Sequence, residues 1–165
     1  MPRMSTSIAT LLAASALLLA GSSPRATMGS PLQGDTAPVI RLPDELSWRT
    51  LSPGLEMATV SGDPMAEGKP YAVALRLAPG RWIQPHWHPN EKVVAVMSGT
   101  LLFGHGQTLD SANARVLTAG GTVRVPATAR HFEGARGQTL LLLTGLGPLR
   151  SNPVTAGRDD HGAHR

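Results

Sequence analysis

The stretch "GRWIQPHWHPNEKVVAVMSGT", residues 80–100, sets two runs of extended character on either side of the turn formers Pro89 and Asn90, and Ser98-Gly99 closes the second run. Short runs bounded in this way read as β-strands. The same rhythm continues outward in both directions. "PG" at 53, "SGDP" at 61, "APG" at 78, "GHGQ" at 104, "AGG" at 119, "PAT" at 126 and "GARG" at 134 separate short segments rich in Val, Leu, Ile and Thr. That spacing predicts antiparallel β-structure, not strands alternating with helices. "YAVALRL" (71–77) and "TVRV" (122–125) alternate apolar with other residues. "VVAVM" (93–97) and "TLLLLT" (139–144) are continuously apolar and predict strands covered on both faces. No window supports a long amphipathic helix, and "TLDSANA" (108–114) reads as a loop. An all-β domain follows, with a β-sandwich, a jelly roll or a small barrel as the options.

At 165 residues the chain suits a single domain. Its N-terminus differs in kind from the rest: Arg3 in a polar opening, an uncharged and mostly apolar run from Ile8 to Ala20, then Gly21-Ser22-Ser23 and Ala26. This layout predicts a cleaved secretory signal peptide over 1–26 and a secreted or periplasmic product. The apolar run is shorter than the roughly 20 residues that span a bilayer as a helix, so no stable membrane association is expected after cleavage. Pro24, Pro31, Pro38 and Pro43 mark 27–45 as a linker, 46–150 as the globular domain and 151–165 as a mobile tail carrying His161 and His164. The chain has no cysteine, which removes disulfides and thiol chemistry.

The formal charge is +4, but cutting after Ala26 removes Arg3 and Arg25 and leaves 13 basic against 11 acidic residues. The arginines are scattered and aromatics are few, so no nucleic-acid partner is expected. Nucleotide loops are excluded as well, because Gly104-x-Gly106 and Gly145-x-Gly147 lack a third glycine and a following helix. No nucleophile elbow and no internal repeat occur.

The chemistry concentrates in the opening stretch. On a strand, residues two apart share a face, so His86 and His88 present two imidazoles to one ion. A third ligand must come from elsewhere, and His131 in "VPATARHFEG" is the best source. Glu133 shares the face of His131, where it is placed to pair with Lys92 or to supply a carboxylate ligand. Gln84 has the parity of His86 and lines the pocket or the surface; His105, between Gly104 and Gly106, enters the barrel mouth or stays on a turn. Trp87 is expected to face away and pack.

Gly80, five residues, His86-Trp87-His88, three residues, Lys92, six residues and Gly99 together resemble the first cupin motif. Gly120, five residues, Pro126-Ala127-Thr128, two residues and His131 resemble the second. The resemblance spans about 46–150 and is greatest to small secreted single-domain cupins with "SGDP" before the first motif, "SGT" closing it and "GP" near the end. It implies a cupin jelly-roll β-barrel with the histidines inside, a divalent metal in many relatives, and often a homodimer.

Two departures bear on function. Lys92 stands where metal-binding cupins carry a glutamate, and Glu91 is one residue off register, which reverses its face unless the turn at Pro89-Asn90 realigns the chain. The second motif usually has glycine at the position of Thr128. An ammonium beside a divalent cation is repelled by several kcal/mol at moderate dielectric, or about 4 kcal/mol at 4 Å per unit charge. Lys92 is therefore expected to lose its proton, to swing its ammonium to solvent, or to serve as the fixed cation of a metal-free pocket.

The sequence-level expectation is a pocket of His86, His88 and His131 holding Zn, Fe, Mn, Ni or Cu, with Glu133 or Lys92 as acid or base. Gln84, Glu91 and His105 are the outer candidates. The partner is a small organic molecule, and an enzyme of this kind is expected to be a metal-dependent oxygenase or isomerase. The rival expectations are a metal-free module that captures a small anion through Lys92, and a non-catalytic scaffold.

Overall fold

A computed structural model describes residues 38–155. Eleven strands occur among them: β1 (Arg49–Ser52), β2 (Leu55–Ser61), β3 (Pro70–Leu77), β4 (Trp82–Trp87), β5 (Lys92–Ser98), β6 (Thr100–His105), β7 (Arg115–Thr118), β8 (Thr122–Val125), β9 (His131–Ala135), β10 (Thr139–Leu146) and β11 (Asn152–Pro153). They form a six-stranded sheet in the order β1-β2-β3-β10-β5-β8 and a five-stranded sheet in the order β11-β4-β9-β6-β7. All pairings are antiparallel. The expected loop at 108–114 contains one short 3-10 turn, Ser111–Asn113, capped by the Asp110 carboxylate.

The core lies between the sheets. Tyr71, Val73, Leu75 and Leu77 point inward from β3, Val94 and Val96 from β5, and Leu141 and Leu143 from β10. They meet Leu101 and Ala135 of the other sheet, with Ile83, Phe103 and Leu117 packed against them. Each fully buried Val or Leu contributes about 1.5–3 kcal/mol in apolar transfer. This set therefore outweighs any single polar contact. The turn from β5 to β6 needs Gly99, whose φ is 81° and where a Cβ would run into the Gln138 carbonyl.

Two expectations about burial change. β5 and β10 alternate instead of being covered on both faces: Val93 is 39% and Met97 55% exposed, on the side opposite Val94 and Val96. Among the described residues, the outer face of the six-stranded sheet has no second layer there. It is covered locally by the lead-in, where Trp48 stacks under the Arg76 guanidinium at 4.0 Å and donates to the Pro43 carbonyl. At the other end the five-stranded sheet runs past residue 150, because Asn152 and Pro153 pair with Trp87 and His86. Pro153 suits this place because an edge strand tolerates a missing N–H. The segments 1–26 and 156–165, and most of the linker, lie outside the described residues.

Candidate metal centre

The site is assembled from both sheets. His86 lies in β4 and His131 in β9, directly opposite each other in the antiparallel register, which puts both rings on one face. Glu133 follows on the same face of β9, and His88 sits just past the end of β4. Lys92 begins β5 and reaches in from the facing sheet. All five side chains are buried, Lys92 and Glu133 at 2% and 1% exposure.

The hydrogen bonds fix the tautomers. Nδ1 of His86 lies 2.8 Å from the Gln84 carbonyl, Nδ1 of His131 lies 2.8 Å from the Ala129 carbonyl, and Nδ1 of His88 lies 2.6 Å from the Arg150 carbonyl. A carbonyl only accepts, so each Nδ1 carries the proton and donates it. Every Nε2 is left unprotonated, with a lone pair that can accept. A backbone carbonyl behind each ring is the outer support that orients metal-ligating imidazoles. One ring nitrogen from each of the three histidines lies within 4.8 Å of those of the others.

Electrostatics favour neutral rings. Burial, reinforced by Lys92, holds His88 down to about 3 and His131 down to about 4; burial also lowers His86. With His131 neutral, its 3.8 Å approach to Glu133 is not an ion pair. Burial alone would raise the Glu133 carboxyl, but the Lys92 ammonium and the surrounding imidazoles outweigh it and hold the group below the ordinary carboxylate range. Burial lowers Lys92, against the opposing pull of Glu133. The pair is separated by 3.7 Å, close enough for attraction and too far for a good hydrogen bond.

Lys92 is not at the surface, so the expected swing to solvent does not occur. Its Nζ lies 2.8 Å from Nε2 of His88 and donates to it, since His88 has its only ring proton on Nδ1. Nε2 of His131 and Oε1 of Glu133 are buried without any hydrogen-bond partner. Such orphaned acceptors cost about 1–3 kcal/mol each when nothing binds them. They mark where a cation fits. The donor set, two imidazoles whose Nε2 atoms accept no hydrogen bond, a third shared with lysine and a carboxylate oxygen without a hydrogen-bond partner, therefore matches a divalent metal.

The structure brings His86, His88, His131, Lys92 and Glu133 together and leaves three other candidates out. Glu91 points away, as its register requires, and its carboxylate pairs with Arg124 on the surface. Gln84 is exposed because a bulge between Ile83 and His86 breaks the alternation, and only its carbonyl serves the site. His105, the last residue of β6, is exposed too; β6 presents Phe103 instead, stacked on His131 with ring centres 5.5 Å apart. Thr128 takes the turn position where glycine is usual, with φ 61°, and its N–H donates to the His88 carbonyl at 2.8 Å.

Beside the cluster lies a cavity of about 210 Å³. Its polar end is His86, His88, Lys92 and Glu133, its walls include Leu55, Met57, Leu75, Ile83, Leu143 and Leu149, and Arg49, Leu51 and Ser151 complete it. Sequence reasoning missed the C-terminal contribution. The Arg150 carbonyl stands 62 residues from His88, and no local pattern announces such a contact.

No protein-family model matches the chain, and no curated protein does. Solved structures do. An RmlC-like cupin from Shewanella frigidimarina is 19% identical, with 69% of this chain and 94% of that one covered at a TM-score of 0.56. KdgF from a Halomonas species is 18% identical, with 67% and 96% covered at 0.55. An oxalate oxidase is 22% identical, with 76% and 68% covered at 0.54. The fold of this chain is that of the cupin superfamily: a jelly roll of two antiparallel sheets, here with three histidines gathered between them.

Proposed function

We propose that this chain is an exported cupin-domain protein that holds one divalent metal ion through Nε2 of His86, His88 and His131, and receives a small organic molecule in the adjoining cavity. The observation that carries this reading is the common tautomer: three buried imidazoles each donate Nδ1–H to a backbone carbonyl and aim an Nε2 lone pair inward. A bound metal would act as a Lewis acid toward an oxygen of the organic molecule in an isomerase, or as an oxygen activator in an oxygenase. Glu133, held as a carboxylate, accepts a proton or joins the ligand set. Lys92 is the matching donor, and the walls of the cavity are largely apolar. The leader over 1–26 supports export. The fold itself hosts many unrelated activities, so the site alone carries the assignment.

Elemental analysis of protein prepared without a purification tag tests the reading. It predicts close to one metal ion per chain and loss of that ion in His86→Ala; metal content unaffected by the substitution would refute it.

A second reading has its own observation. Lys92 already donates to Nε2 of His88 and balances Glu133, which makes the buried end of the pocket electrically neutral without a metal. On this reading the protein is a metal-free module that captures a small anion. Metal-free protein with an organic anion bound in the cavity would favour it.

A further inference from the structure

The Nε2 lone pair of His88 cannot serve two partners. It now accepts from Lys92 at 2.8 Å, and a metal needs the same lone pair. The metal-free and metal-loaded arrangements therefore differ in where the Lys92 ammonium lies. Lys92 is 2% exposed and the 210 Å³ cavity it lines is the space beside it, so a displaced ammonium moves toward that cavity.

Charge decides what that cavity must then contain. With Lys92 protonated and Glu133 ionised, the buried polar end of the metal-free pocket is neutral, and Arg49 stands at its exposed rim. A divalent ion raises it to a net charge of two among buried leucines, and uncompensated buried charge is costly. A monoanion entering the cavity offsets half of that charge and offers the displaced ammonium a partner in place of His88. The walls formed by Leu55, Met57, Leu75, Leu143 and Leu149 suit an apolar body. At about 210 Å³ the cavity suits only a small guest.

We propose that the cavity is a site for a small organic monocarboxylate, and that Lys92 couples this site to the metal centre so that carboxylate and metal bind cooperatively. This rests on the three-histidine metal reading and specifies the ligand class and the coupling. A carboxylate draws Lys92 from His88 and frees the lone pair. Reciprocally, a bound metal releases Lys92 to hold the carboxylate.

The test is a titration of tag-free, full-length apoprotein with cobalt(II), followed by its visible absorption, in the presence of hexanoate, hexan-1-ol or sodium sulfate. Hexanoate is expected to tighten cobalt binding by about ten-fold, within the usual range of coupling between sites, with little effect from hexan-1-ol or sulfate. In Lys92→Met, cobalt is expected to bind more tightly than in the native protein without any anion, and the hexanoate effect is expected to disappear. Lys92→Gln serves the same purpose should the Met variant not fold. Equal tightening by sulfate overturns the organic-carboxylate class. Persistence of the hexanoate effect in both variants overturns the role of Lys92. Cobalt binding that ignores hexanoate in the native protein overturns the coupling while leaving the metal reading intact, whereas no cobalt binding by any of the proteins removes both.

Discussion

Lys92 Nζ and His88 Nε2 are joined by a buried 2.8 Å hydrogen bond that spans the two sheets of the jelly roll. It places a cation on the lone pair that a metal centre requires, and Glu133, 3.7 Å away, balances that cation.

The buried pair is predicted to be held by mutual compensation more than by net gain. Glu133→Gln leaves Lys92 without its counter-charge and is expected to cost up to about 3–5 kcal/mol of stability. The double variant Glu133→Gln/Lys92→Met is expected to recover much of that loss, because no charge remains buried. Urea unfolding of metal-free protein measures both; purely additive losses would contradict the compensation.

Acid is predicted to destabilise the metal-free protein well above the point where carboxylates titrate. His88 and His131 are held down to about 3 and about 4 in the fold, while unfolded rings take up protons near 6.5. A depressed folded value means stability is present above about 6.5 and is lost as the pH falls toward the folded values. Each ring is expected to forfeit about 1–2 kcal/mol by pH 5. Urea midpoints at pH 7.5 and pH 5 in the presence of a chelator check this, and identical midpoints would contradict neutral burial of the rings.

Glu91→Gln is predicted to leave metal content unchanged, since that carboxylate faces solvent and pairs with Arg124. His131→Ala is predicted to weaken metal binding by more than the 10–100-fold typical of losing an outer support. Parallel elemental analysis of the two variants distinguishes ligand from neighbour.

Thr128→Gly is predicted to raise thermal stability. A β-branched residue at φ 61° stores about 1–2 kcal/mol of strain, more than the about 0.5–1 kcal/mol that glycine adds in backbone entropy. A small rise in Tm is the expected outcome; a fall would mean that the threonine side chain contributes packing beyond its backbone.

Much of this was legible in the chain because it is local. Turn formers at short intervals announce antiparallel strands, and parity on a strand puts His131 with Glu133 and sends Glu91 away. The same parity fails at Gln84, where a bulge intervenes before His86. Continuous apolar runs misled for a related reason: Val93 and Met97 are apolar although exposed, so composition did not report which face was covered. The least legible contributions come from far along the chain. Lys92 meets Glu133 only when the two sheets face each other, and the Arg150 carbonyl that orients His88 follows a segment with no periodic signal.

The central claim is that three Nε2 lone pairs converge for one metal. Nitrogen-15 NMR of the histidine rings during zinc titration of tag-free apoprotein tests it most directly. The account predicts Nδ1–H tautomers for His86, His88 and His131 before zinc, and a shift of all three Nε2 signals that is complete at one equivalent. Nε2–H tautomers at the outset, or fewer than three of these rings responding, would contradict it.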